Sequence, residues 1–277
     1  MKQLKLVLLV LCLCAATSAL NAQEKYYPNG NPDKWNVQVN PYMWLPAISG
    51  KIESLHSTKE LTVPGIDLIS NLKMAFFINA EVSKGKLFFT PSYTYTKVGT
   101  DKQLFTAPNG KEVSVAPDLT LNIFGLNVGL HEAVSKKLII DPYLGVRYNN
   151  FKTTMELTGL MQSENVEQTA DFTDPLIGLR ILYFPHPRVP VIFSSDVGGF
   201  GIGSDYSWTG KLDAGYSLSP QVDLIAGFSA YGMKFTGEPK SGSPAELKLI
   251  MYGVNLGIRI LLPRRVQDAS VFKKFGK

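Results

Sequence analysis

The three histidines are the first candidates for chemistry, because a serine nucleophile needs a neighbouring base. His56 lies next to Ser57, His131 precedes Glu132, and His186 lies between two prolines. A solvated loop, a strand rim and a tight turn explain these surroundings as well as catalysis does. We predict no catalytic residue, and a hydrolase that depends on one of these histidines stays an alternative.

Carboxylates and glycines offer two further kinds of site. Asp171, Asp174 and Asp205 could approach one rim, as the paired acids of a protease would, but their spacing does not specify a pair. The sequence has no close histidine pair and no HExxH spacing, so we predict no metal site and no cofactor. The glycines of GGFGIGSD lack the GxGxxG order, so they indicate a tight hairpin and not a phosphate-binding loop.

A seven-residue motif occurs twice, as DPYLGVR from Asp141 to Arg147 and as DPLIGLR from Asp174 to Arg180. In a strand, the Asp, Gly and Arg of each copy point to the same face. If the copies lie on adjacent antiparallel strands, Asp141 can face Arg180 and Arg147 can face Asp174. We predict that both ion pairs lie inside a barrel, where an unpaired charge would be costly.

The same register sets Tyr143 over the bare backbone of Gly178. The ion pairs can act as a scaffold that fixes the register, which we favour, or as a selectivity lining or a proton path. The other polar side chains that we expect to face inward are Glu81, Asp196, Lys211, Asp213, Asp223 and Arg259.

Alternation of apolar and polar residues predicts strands along the whole chain. The ten predicted strands are residues 35–54, 72–83, 87–98, 113–133, 137–156, 166–184, 189–202, 206–217, 221–236 and 246–262. Short connections alternate with longer, more polar ones, which is typical of an up-and-down membrane barrel with short periplasmic turns. We therefore predict an all-β transmembrane antiparallel barrel of about ten strands (about 8–12), with both termini in the periplasm.

The competing fold is a soluble ligand-binding barrel, which would be apolar inside and polar outside. Here the polar face carries Asp and Arg together with Gly and Thr, whereas the apolar face is unbroken and rich in tyrosine at its ends. A lipid-facing band with aromatic girdles explains this pattern better. In the fourth strand the pattern changes faces near Ile123 and Phe124, which predicts a bulge.

The first 22 residues have the layout of a secretory signal, with a basic start, an apolar run from Leu6 to Ala16 and small residues after it. We predict cleavage after Ala22, a barrel over residues 23–262 and a periplasmic tail over residues 263–277. Cleavage would remove both cysteines and two lysines, which lowers the formal net charge from +5 to +3. Neither a transmembrane helix nor a nucleic-acid partner is predicted.

The size of the predicted barrel bears on its function. About ten strands enclose a lumen that side chains nearly fill, which argues against a wide diffusion channel. We predict a non-enzymatic structural or interaction barrel in the outer membrane of a Gram-negative cell, with outer-membrane lipid and the barrel-assembly machinery as partners. A narrow pore for small solutes or apolar ligands, and an outer-membrane lipid hydrolase or protease, stay as alternatives.

Several stretches resemble an uncharacterised family of Gram-negative outer-membrane β-barrel proteins. They are WNVQVNPYMWLPAISGKI with GIDLISNLKMAFF after it, SSDVGGFGIGSDYSW, and the repeated DPxxGxR motif. The resemblance covers most of the mature chain and implies a single-domain outer-membrane barrel with no known reaction. Many such barrels end on an aromatic residue that closes the last strand, whereas this chain continues past Leu262 with PRRVQDASVFKKFGK. We therefore expect an internal or unusual insertion signal.

Overall fold

The computed structural model describes residues 33–54, 57–63, 71–99, 103–106, 112–135, 137–158, 163–237 and 246–262. Within these ranges no helix is long and apolar enough to cross a membrane. The strands are β1 (Asn36–Ser54), β2 (Ser57–Val63), β3 (Leu72–Lys84), β4 (Leu87–Gly99), β5 (Gln103–Thr106), β6 (Glu112–Leu130), β7 (Glu132–Ser135), β8 (Leu138–Thr158), β9 (Ser163–His186), β10 (Val189–Gly198), β11 (Tyr206–Ser217), β12 (Val222–Thr236) and β13 (Glu246–Leu262).

Ten of these strands form a closed antiparallel barrel. Strands that are neighbours in the chain are neighbours in the barrel, and β1 closes it by pairing with both β3 and β13. The short strands β2, β5 and β7 pair with β1, β6 and β8 respectively. The predicted all-β barrel and its strand number are confirmed.

The two ends of the barrel differ in their connections. Short turns join β3 to β4, β9 to β10 and β11 to β12 at one end, which we call the turn end. The first strand begins and the last strand ends there, because Val37 is paired with Leu262. The strands β1, β4, β8, β10 and β12 end at the opposite end of the barrel, which we call the loop end.

Apolar side chains cover the outside of the barrel. On β13 every second residue from Ile250 to Leu262 is apolar and 37–61% exposed, whereas Met251, Asn255 and Arg259 on the other face are buried. A soluble ligand-binding barrel would have the opposite arrangement. The outer surface is therefore that of a membrane barrel.

Exposed tyrosines lie at both margins of this apolar band. Tyr148 and Tyr252 lie toward the loop end, and Tyr183 and Tyr216 lie toward the turn end. Tyrosine rings prefer the boundary between lipid and water. They agree with the aromatic girdles that the sequence indicates.

The predicted bulge near Ile123 and Phe124 is wrong. β6 pairs with β4 and β8 through this region without a register shift. Leu121 is buried and Phe124 is exposed, so Leu121 and Ile123 point inward in the ordinary alternation. The apparent change of face arises because the inner face itself becomes apolar toward the loop end.

Candidate functional site

Four ionisable side chains form a buried cluster inside the barrel near the turn end: Glu81, His131, Asp141 and Arg180. We call it the turn-end cluster. Arg180 Nη2 lies 2.7 Å from Asp141 Oδ2, and Arg180 Nη1 lies 2.6 Å from Glu81 Oε2. The Phe88 ring lies over the guanidinium, with 4.7 Å between the ring centroid and Arg180 Cζ. Two buried carboxylates thus share one guanidinium, and a second cation is needed to balance them.

His131, the residue between β6 and β7, lies between the two carboxylates. Its Nδ1 lies 3.1 Å from Asp141 Oδ1, and its Nε2 lies 3.5 Å from Glu81 Oε1. A protonated ring at this position balances the second carboxylate.

A second buried ion pair joins β12 and β13 at the same end of the lumen. Asp223 lies directly opposite Arg259 in the register. Asp223 Oδ2 accepts hydrogen bonds from Arg259 Nε at 2.8 Å and from Nη2 at 2.5 Å. Both side chains are buried, and both face inward as the sequence predicts.

The two copies of the repeated motif lie on β8 and β9, and these strands pair in the register that the sequence predicts. Asp141 is opposite Arg180, and Arg147 is opposite Asp174. Tyr143 is opposite Gly178, where an added Cβ would lie 2.3 Å from Tyr143 Cζ. Only the bare backbone of glycine leaves room for the ring at this point.

Arg147, however, has a different partner from the predicted one. Its Nη2 lies 2.6 Å from Asp196 Oδ1 on β10. Asp196 Oδ2 also accepts hydrogen bonds from the hydroxyl groups of Tyr143, at 3.3 Å, and Thr209, at 2.5 Å. Arg147 and Asp174 are directly opposite as predicted, but the predicted ion pair between them is wrong. The long guanidinium side chain instead reaches across the curved wall to a strand two positions away.

Asp174 instead holds the connection between β10 and β11. Its two carboxylate oxygens accept hydrogen bonds from Ser204 N at 2.7 Å and from Ser204 Oγ at 2.9 Å. The predicted strand over residues 189–202 ends earlier, at Gly198, because Gly199, Phe200 and Gly201 have positive φ and turn the chain. The two aspartates of the repeat therefore have different partners: Arg180 for Asp141 and a loop serine for Asp174.

Lys211 and Asp213, two of the residues that the sequence predicts to face inward, form an ion pair with each other. Lys211 Nζ lies 3.1 Å from Asp213 Oδ2 and 4.8 Å from the centroid of the Tyr42 ring. Asn255 Nδ2 donates a hydrogen bond to Asp213 Oδ1 at 3.1 Å. All the residues predicted to face inward thus lie on the inner face.

An open space lies in the middle part of the lumen. A cavity of about 290 Å³ lies between the inner faces. Its wall on β1, β3 and β6 carries neutral amides such as Asn40, Asn79 and Asn127, whereas its opposite wall carries charged groups such as Arg147 and Lys211. The space is a small chamber with both polar and apolar lining residues.

An apolar layer fills the lumen toward the loop end. The Phe172 ring lies 5.9 Å from the Phe151 ring and 4.9 Å from the Phe235 ring, between ring centroids, and both pairs are stacked. The buried members of the layer are Ile48, Val98, Leu121, Phe151, Ala170, Phe172, Tyr231, Met233, Leu247, Leu249 and Met251. The chamber therefore has the turn-end cluster on one side and packed hydrocarbon on the other.

The residues considered for catalysis do not come together. His131 is held between two carboxylates, and His186 Nδ1 accepts a hydrogen bond from Arg188 N at the β9–β10 turn. Asp171 contacts Tyr148, whereas Asp205 contacts Thr236. His56 lies outside the described residues. Among the residues that the structure describes, no group of three or more His, Cys, Asp or Glu side chains is placed to hold a metal ion.

His131 and Ser204 are among the members of the lumen network that were missed from the sequence. His131 continues the inward alternation of Gly125, Asn127 and Gly129. The alternation of the strand could therefore have predicted that His131 faces the lumen. Ser204 gave no such signal, because its contact with Asp174 depends on how the loop folds back.

Comparison with solved structures supports the fold. The outer-membrane protease OmpT from Escherichia coli superposes with a TM-score of 0.52 at 11% identity, over 84% of this chain and 98% of that one. The translocator domain of the autotransporter NalP from Neisseria meningitidis gives 0.40 at 11% identity, over 94% and 96% of the two chains. Ail from Yersinia pestis gives 0.35 at 9% identity, over 82% and 99%. No family model and no curated protein sequence matches the chain. The likeness to OmpT is one of fold.

Proposed function

We propose that this protein is an integral barrel of the outer membrane of a Gram-negative cell, with a structural or interaction role and a lumen closed to free diffusion. The observation that carries the proposal is that its side chains are distributed in the opposite way to those of a soluble barrel, with apolar residues outside and charged residues inside. The outward band is apolar over the whole of β13 from Ile250 onward, whereas buried ion pairs and a packed apolar layer occupy the lumen. Lipid is the solvent that suits such an exterior.

The arrangement of the strand ends supports an orientation. Both the start of β1 and the end of β13 lie at the turn end. A chain that is exported through an N-terminal signal reaches the outer membrane from the periplasm, so the turn end faces the periplasm and the long connections face outward. The barrel-assembly machinery is then its partner during insertion, and the uncharacterised family named above is its family.

The barrel itself is tested by heat-modifiable electrophoresis. A folded membrane barrel in detergent resists unfolding until it is heated, and its mobility then changes. We expect the purified chain without residues 1–22 to show this shift, together with far-ultraviolet circular dichroism of β-structure before heating. A chain that migrates identically with and without heating, under conditions in which another outer-membrane barrel shifts, would contradict the proposal.

The chamber favours one second function, a narrow pore for small solutes. A small solute could cross the chamber by exchanging its bound water for hydrogen bonds to the neutral and charged walls. Vesicles that contain the barrel and swell in small sugars at a rate proportional to protein content would favour the pore. Unchanged swelling favours the closed barrel.

A further inference from the structure

The connection between β10 and β11, residues 199–205, carries two exposed apolar side chains that the closed lumen does not explain. Phe200 is 59% exposed and Ile202 is 76% exposed. They lie within GGFGIGSD, the glycine-rich stretch of the sequence. We call these two residues the apolar tip.

The backbone of the apolar tip is strained and fixed in shape. Phe200 has a φ of 51°, between Gly199 at 87° and Gly201 at 73°. A bulky side chain is rare at positive φ, and such strain persists where the surroundings enforce it, commonly at functional positions. Two backbone hydrogen bonds close the turn, from Gly201 N to Ser204 O at 3.0 Å and from Ile202 N to Gly199 O at 2.9 Å.

The barrel wall holds the base of the same loop. Ser204 is bound by Asp174 through the two hydrogen bonds described above, and Gly199 N donates a hydrogen bond to Pro175 O at 3.1 Å. Gly199 and Ser204 are both buried. The base of the loop is therefore held against β9, whereas Phe200 and Ile202 in the middle of the loop are exposed.

The apolar tip lies at the loop-end margin of the outward band. Val197, just before the loop, is 49% exposed, and Tyr206, just after it, is 42% exposed. The outward residues at a similar level on the flanking strands are polar, with Thr173 on β9 and Thr236 on β12 both exposed. The tip therefore lies between two exposed outward residues of β10 and β11, at a level where the flanking strands are polar.

We infer that the apolar tip is a lipid anchor, which rests on the proposed membrane location of the barrel. Phe200 and Ile202 insert into the interfacial layer of the leaflet at the loop end, and Asp174 holds the loop in the shape that presents them. Interfacial aromatic anchors set the depth and tilt of spanning segments. A protein partner fits less well, because two side chains supply far less than the roughly 1,000 Å² that a stable interface buries.

The depth of the tip can be measured by spin labelling, since both cysteines lie within the predicted signal. Single variants Phe200→Cys, Ile202→Cys, Phe228→Cys and Thr236→Cys of the chain without residues 1–22 are labelled with a nitroxide and reconstituted in phosphatidylcholine vesicles. Accessibility is compared between oxygen, which concentrates in lipid, and a water-soluble nickel complex. We expect labels at 200 and 202 to favour oxygen, at a depth between the outward mid-band position 228 and the polar position 236.

The controls separate failure of the anchor from failure of the proposed function. A label at 228 that favours the nickel complex would show that the barrel is not in the membrane. A label at 228 in lipid, combined with labels at 200 and 202 that match position 236, would overturn the anchor alone.

The role of Asp174 has its own test. The Ser204→Ala variant removes one of its two hydrogen bonds, so a label at position 200 should become more mobile, with a narrower spectrum. The matched Ser219→Ala variant, in the β11–β12 turn at the opposite end of the barrel, should leave that spectrum unchanged. An unchanged spectrum in Ser204→Ala would contradict the holding role of Asp174.

Discussion

At the scale of single residues, the lumen is organised by charge balance more than by direct cross-strand opposition. Glu81 and Asp141 are almost completely buried, and Arg180 and His131 balance them. A buried ion pair contributes little net stability when complete, but removing one partner leaves a charge without compensation. A single substitution in the turn-end cluster should therefore have a large effect.

Arg180→Met should destabilise the barrel strongly. Glu81 and Asp141 would then face only His131, and we expect a loss of about 3–5 kcal/mol of stability. The measurement is the midpoint temperature of the heat-induced gel shift in detergent. The matched Lys86→Met variant breaks a half-exposed pair with Glu132 and should cost about 0–1 kcal/mol. Equal midpoints for the two variants would contradict the role of the cluster.

At the scale of elements, the register of β8 and β9 depends on one close fit. Tyr143 lies over Gly178, with no space for a side chain beneath the ring. This contact and the Asp141–Arg180 pair set the same register. Shifting it by one residue would turn every inward side chain toward lipid.

Gly178→Ala should therefore destabilise the barrel, whereas Gly210→Ala should not. The first Cβ would lie 2.3 Å from Tyr143 Cζ, while nothing lies within 4 Å of a Cβ at Gly210. Overpacking of this kind costs about 1–3 kcal/mol. The two alanine variants are compared by their gel-shift midpoints. A Gly178→Ala barrel as stable as its Gly210→Ala control would refute the close fit.

The strands could be predicted from sequence because alternation and the repeated motif are local signals. The same signals identified the Asp141–Arg180 contact, since the two residues are directly opposite. They did not identify Asp196 as the partner of Arg147, because that contact crosses from β8 to β10 and depends on barrel curvature. Nor did they reveal the apolar layer, because inward Leu121 and Ile123 have the same residue types as the lipid-facing band.

At the scale of the whole molecule, the barrel is longer than a membrane requires. β1, β8 and β9 contain 19, 21 and 24 residues, whereas about 9–11 residues cross a bilayer. The extra length lies at the loop end, where polar residues such as Asn150 and Asp171 lie along the strands above the outward band. The apolar layer fills this part of the lumen as a packed core.

Closure of the lumen at two levels is the central claim, and single-channel recording in a planar bilayer tests it most directly. The wild-type barrel, with insertion verified by its heat-induced shift, should give no steady unitary current in simple salt. A diffusion porin in the same bilayer serves as the positive control. Steady, voltage-independent openings of the wild-type barrel would contradict the closed lumen and establish a pore.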